Sequence, residues 1–179
     1  MELALTIDVA IRCVGWRRAS PLVERLADEA ARLALADGVA ALGLVSIGPV
    51  ELGINLTDAA EQQQLNRDYR GHDVSTNVLA FPAWEARVPM PAGAPVLLGD
   101  VVLSFETVAL EAAAQRKSLD DHLRHLVVHG VLHLLGFDHL TTADAAQMES
   151  LETSILVKLG VADPYCDHAW SIEGDPCHG

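Results

Sequence analysis

Apolar and polar residues alternate from the start of the chain, MELALTIDVAIRC, and this period of two predicts a first strand. Ser20 and Pro21 then read as an N-cap and a first-turn proline for an Ala/Leu/Glu/Arg-rich helix running to about Ala36, with Gly38 closing it. The run Leu44 to Leu56 is apolar but broken by Gly48 and Pro49, which predicts extended structure containing a bulge or turn. Thr57 or Asp58 caps a helix to about Arg70. Val78–Phe81 and Leu97–Leu103 read as two further strands, separated by a loop holding Pro82, Pro89, Pro91 and Pro95.

The second half is helical. Segments are predicted from Ser104 to about Arg116, from Leu119 to Leu135, and from Thr141 or Thr142 to Leu159. The middle one carries Leu123, Leu126, Val127, Val131, Leu132 and Leu135, so it is expected to be largely buried. Early strands interleaved with helices, followed by helices alone, imply an α+β fold. The expectation is a mixed sheet of about four strands packed with five or so helices, in a single domain over residues 1–165, with 166–179 a poorly ordered tail. The chain of 179 residues, half of them hydrophobic, suits one core better than two. No segment approaches a membrane span, and the start lacks a signal peptide's basic, continuously apolar character.

That buried helix carries the candidate chemistry. Residues 129 to 139 read HGVLHLLGFDH, placing His129 and His133 four apart on one helix face. Gly136 is suited to end the helix in the left-handed conformation, which would turn His139 back toward that face. Three neutral imidazoles suit one Zn²⁺ ion and leave a fourth position open for water, the arrangement of catalytic zinc sites. A chance i, i+4 histidine pair is common; a third histidine beyond a helix-ending glycine is a far more demanding coincidence. His122 and His125, further back on a similar face, read as outer-shell or surface groups.

The same spacing occurs in the H-E-x-x-H-x-x-G-x-x-H motif of metzincin proteases, except that Gly130 stands where those enzymes carry their glutamate base. The usual carboxylate for deprotonating zinc-bound water is therefore absent, which disfavours peptidase activity.

Charge and cysteine content narrow the setting. The net charge of −13 argues against broad, nonspecific nucleic-acid binding. The acidity is uneven, however: from Asp138 onward there are eight acids and one base, leaving eleven of the twelve bases upstream. A local basic groove near Arg67, Arg70, Arg87, Arg116, Lys117 and Arg124 is compatible with that distribution, as is a scatter of solvated charges. Cys13, Cys166 and Cys177 are too few for a disulfide framework and point to a reducing cytoplasm; Cys166, His168, Cys177 and His178 lack a regular ligand spacing.

The histidine run resembles the signature of the YbeY family, metal-dependent endoribonucleases of bacterial ribosomal RNA processing, at every fixed position of H-G-x-L-H-L-x-G-aromatic-D-H. LNRDYRGHDVSTNVLAFP at 65–82, LGDVVLS at 98–104, the Met148–Glu149 region and Asp163-Pro164-Tyr165 are also similar to family blocks. The resemblance implies zinc ligands at His129, His133 and His139 and a functional arginine at Arg70. It implies single-stranded or ribosomal RNA as substrate, and the small ribosomal subunit and an assembly GTPase as partners.

A guanidinium suits Arg70's implied role, offering paired donors to a phosphate; the bland alternative is a surface salt bridge with Asp68 or Asp73. Asn77 takes no acid or base role, Asp138 reads as orienting an imidazole, and Asp100 as a turn residue at a strand start. Two alternatives stand beside the endoribonuclease: a metal-dependent hydrolase of peptide or amide bonds, and a non-catalytic assembly factor whose zinc is structural.

Overall fold

The computed structural model describes residues 3–44, 47–85, 88 and 91–165; the predicted C-terminal tail lies outside the described residues. The elements are β1 (Leu5–Ile11), α1 (Val14–Ala19), α2 (Val23–Ala41), β2 (Val50–Thr57), α3 (Ala59–Arg70), β3 (Val78–Pro82), β4 (Val96–Ser104), α4 (Phe105–Ala114), α5 (Leu119–Leu134) and α6 (Thr142–Lys158). The four strands form one mixed sheet in the order β1-β2-β4-β3. β1, β2 and β4 are parallel, and β3 runs antiparallel on the edge beside β4. This is the expected α+β architecture, with six helices among the described residues.

One face of the sheet makes the core. Val50, Leu52, Ile54 and Leu56 alternate along β2 and are all buried. β4 keeps pace through a bulge: Glu51 pairs with Leu97 and Leu52 with Gly99, so the core positions change from Val96 and Leu98 to Val101 and Leu103. The extra residue shifts the alternation by one and keeps apolar side chains inward on both sides of it. Helices α2 and α5 cover this face and pack against each other, and α6 packs on both. α3 lies against β4, and Val102, which follows the core-facing Val101, points to that opposite face. No described helix is long and apolar enough to cross a membrane.

Several helix ends follow the sequence closely. Asp58, Ser118 and Thr141 cap α3, α5 and α6, each side chain accepting from the backbone N–H three residues on. Others do not. Ser20 is the C-cap of the short α1, its N–H donating to the Trp16 carbonyl at 2.8 Å, and α2 begins at Val23 without a side-chain cap. A six-residue helix is too short to display a period. Its purpose is to bury Trp16, whose indole donates to the Thr57 carbonyl at 3.0 Å. Gly38 does not close α2, which continues to Ala41; Gly38 is buried inside the helix where Leu135 presses in. Within the predicted 44–56 segment, the strand begins only at Val50, after Pro49.

The approach of α5 to the sheet depends on Gly130. A Cβ there would lie 2.7 Å from Cγ1 of the fully buried Val101 and 3.4 Å from Val78 Cγ2. Gly130→Ala is expected to be destabilising by about 1 kcal/mol, since overpacking a rigid valine outweighs the gain in helix propensity. Urea unfolding should show a lower midpoint with an unchanged slope; an equal or higher midpoint would mean that α5 has room to retreat.

Candidate metal centre

α5 ends as its glycine suggests. Leu135 is the C-cap and Gly136 takes a φ of +94°. The Gly136 N–H donates to His133 O at 3.0 Å and the Phe137 N–H to Leu132 O at 3.1 Å, the paired bonds of a Schellman turn. Phe137 is buried against the core, and the chain reverses so that His139 faces the helix it has just left. Asp138 accepts the His139 backbone N–H at 2.7 Å; it orients the backbone of that residue.

The three predicted histidines come together. The ring centroid of His133 lies 4.5 Å from that of His129 and 5.2 Å from that of His139, and one ligand nitrogen from each lies within 4.8 Å of the others. The Nε2 atoms of His129 and His133 are 2.9 Å apart. Two nitrogens bound tetrahedrally at 2.0–2.1 Å would be separated by about 3.3 Å, so small side-chain adjustments would admit one ion. Burial, with His129 and His139 alongside, pushes the His133 imidazole down to about 4. A neutral imidazole is the form that ligates metal, so this donor set fits a divalent cation.

Behind the histidines sits Glu152 of α6, fully buried. It accepts from His129 Nδ1, from the Tyr165 hydroxyl, and from His125 Nε2 at 3.3 Å. Burial alone would raise its pKa, but these donors hold the carboxyl at about 2, while burial beside Glu152 pushes the Tyr165 phenol up. With Nδ1–H committed to Glu152, His129 presents the Nε2 lone pair toward His133 and His139. Sequence reading missed Glu152. The available signal was its place among Met148, Ile155 and Leu156 on the buried stripe of α6, where a carboxylate needs partners.

His125 joins this network, and His122 is corrected from a possible surface group. Only 3% exposed, His122 pairs through Nε2 with Glu111 of α4 at 2.7 Å, and burial lowers its pKa. Glu111 also accepts from Asn77 Nδ2 at 3.1 Å, which places Asn77 at the start of β3.

Arg70 reaches the site from α3. Its guanidinium donates to the Ala80 carbonyl and lies 5.4 Å from the Phe81 ring centroid. The salt bridges considered for it belong to Arg67, which approaches Asp68 at 3.7 Å and Asp73 at 3.6 Å. Arg70, Asn77, Val78, Ala80, His129 and His133 line one cleft of about 300 Å³. Gly130 also lines it, and its close approach to Val101 leaves no space there for a glutamate. His139, the third member of the cluster, is exposed.

A sequence profile described as Endoribonuclease YbeY matches residues 22–160. The chain is 49% identical to an Endoribonuclease YbeY of Paramagnetospirillum magneticum, covering 92% of this chain and 98% of that one. It is 51% identical to one from Rhodospirillum rubrum over 85% of this chain and 77% of the relative, and 39% identical to one from Bartonella quintana over 91% and 98%. A solution structure from Thermotoga maritima superposes with a TM-score of 0.53 at 21% identity, over 97% of this chain and 100% of that one, a likeness of fold. A histidine cluster held against an arginine-lined cleft thus occurs in a chain that belongs to the Endoribonuclease YbeY family and is, by that membership, a hydrolase cutting within RNA.

Proposed function

We propose that this protein is a zinc-dependent endoribonuclease of the cytoplasm that cuts single-stranded RNA, with precursor or defective ribosomal RNA as its substrate. The small ribosomal subunit and an assembly GTPase are the partners this role implies. The observation that carries the reading is the cluster of three imidazoles, two of which line one cleft together with the Arg70 guanidinium. His129, His133 and His139 would hold the ion, which when bound supplies a Lewis acid for a phosphodiester oxygen or an activated water. Arg70, beside the Ala80 carbonyl, is placed to donate to phosphate oxygens and offset the charge that builds on them during cleavage. Its ring contact with Phe81 restrains the side chain and leaves less freedom to lose on binding.

Glu152 serves as a positioning group. Its bond to Nδ1 fixes the His129 tautomer, and its burial prevents water from competing for that bond. Gly130 contributes no carboxylate base, and the attacking oxygen is that of water or of the ribose 2′-hydroxyl. Product ends separate the two routes: a 2′,3′-cyclic phosphate marks attack by the ribose hydroxyl, and its absence from the first product marks attack by water.

Arg70→Ala should retain its zinc and lose about 100- to 1,000-fold in cleavage rate, measured on a short single-stranded RNA with metal content determined in parallel. Zinc bound by both proteins with no cleavage by either would sink the nuclease reading. Glu152→Gln should weaken zinc binding by about 10- to 100-fold in competition with a chelator, and an unchanged affinity would remove Glu152 from the positioning role.

Acidification of the metal-free protein is expected to lower its stability in two stages. His133 titrates near 4 when folded and at 6.5 when unfolded, so the unfolded chain takes up the proton first and stability declines as pH falls from about 6.5 to 4. Glu152, near 2 when folded and 4.5 when unfolded, adds a second decline from about 4.5 to 2. Unfolding free energy measured against pH should lose part of the first stage in His133→Gln, the remainder belonging to His122, whose pKa burial also lowers; a first stage undiminished in this variant would remove His133 from it.

A further inference from the structure

The sheet face away from α5 carries a second, larger cleft of about 530 Å³ beside α3, within the size range of small-ligand sites. We propose that it is a guanine pocket, which receives one base of the single-stranded RNA whose backbone lies at the histidine site; this rests on the endoribonuclease reading above.

Its floor is built by strand register. Asp100 of β4 pairs with Gly53 of β2 on one side and Phe81 of β3 on the other. A Cβ on Gly53 would lie 2.2 Å from Asp100 Oδ1, so the missing side chain is the hollow that the carboxylate occupies. Asp100 and Asn55 both line the cleft, and their side chains have no hydrogen-bond or ion-pair partner among the described residues. The other charged pair there, Arg12 and Glu61, is already joined at 3.2 Å. One uncompensated carboxylate repels phosphate and accepts hydrogen bonds only.

The rim is aromatic. Tyr69 is 74% exposed and meets Phe81 edge-on at 5.8 Å, leaving ring surface open to a stacked base. The two clefts are separated by the edge strand alone: Val78, Ala80 and Pro82 face the histidines, while Phe81 faces this cleft. Arg70 lies over the Phe81 ring and lines the histidine cleft, which brings a phosphate-binding group next to the base-stacking rim. RNA held by its backbone at Arg70 can therefore turn a base over the β3 edge.

A carboxylate selects among bases. Guanine presents N1–H and N2–H as adjacent donors that match its two oxygens. Adenine and cytosine place an acceptor beside their single amino donor, and uracil sets its N–H between two carbonyls. The Asn55 amide can donate to the remaining guanine O6.

The test uses the zinc-loaded full chain and uridine oligoribonucleotides carrying one guanosine at successive positions from the cut. One position should lower KM by about tenfold, inosine there should return part of that gain, and Asp100→Asn or Tyr69→Ala should bring KM back to that of all-uridine RNA. In parallel, guanosine monophosphate should shift the NMR signals of Tyr69 and Asp100 more than adenosine monophosphate does. Guanosine placement without effect, together with signals unmoved by guanosine monophosphate, overturns the pocket. Signals moved only by a lysine-rich peptide also overturn it, and assign the cleft to a protein partner. Guanosine monophosphate bound at Tyr69 and Asp100 with no RNA cut keeps the pocket and overturns the nuclease reading instead.

Discussion

A carboxylate with none of its surface in water joins α5 to α6, and the geometry of the histidine cluster depends on it. Removing Glu152 from solvent is costly unless its oxygens are occupied. His125, His129 and Tyr165 occupy them, one proton each, and every one of those protons is thereby fixed. The same interaction therefore docks α6 on α5, ties Tyr165 beyond the end of α6 to the site, and decides which nitrogen His129 offers. A buried carboxylate deprived of a donor bears its desolvation penalty uncompensated, so the arrangement is held from both helices at once.

α5 serves two surfaces in opposition. Leu123, Val127, Val131 and Leu134 are buried in the core, while His129 and His133 look into the cleft. Between these surfaces Gly130 lets the helix approach Val101 and Val78 more closely than any side chain would permit. That approach brings the β3 edge, and with it Arg70, within reach of the histidines. It also takes the space that a glutamate base would need, so close packing and the absence of a carboxylate base have a common cause.

β3 is an edge strand of the sheet, and its residues line two clefts. Its antiparallel pairing with β4 gives alternate residues to each side, and Asp100 is held opposite Phe81 by that register. A single edge strand between two clefts lets groups on opposite faces of one sheet act on neighbouring parts of one extended ligand.

The local features were legible in the amino-acid order: the spacing of His129 and His133 on a helix, the turn at Gly136, the caps at Asp58 and Thr141, and the alternation in β1. Each depends on backbone geometry within a few residues, which composition and spacing encode directly. Whether Gly38 ends a helix or fills its interior was settled by Leu135, nearly a hundred positions away, and whether Arg70 or Arg67 pairs with Asp68 and Asp73 was settled by the docking of α3 beside β3. The burial of His122 against Glu111 and the three donors on Glu152 likewise required helices distant in sequence to meet. The sequence by itself determined the strands and the longer helices, though not the short α1, and the presence of three histidines able to share an ion. Tertiary structure alone decided the partners of the buried charges, because desolvation depends on what surrounds a group in space and not on its neighbours along the chain.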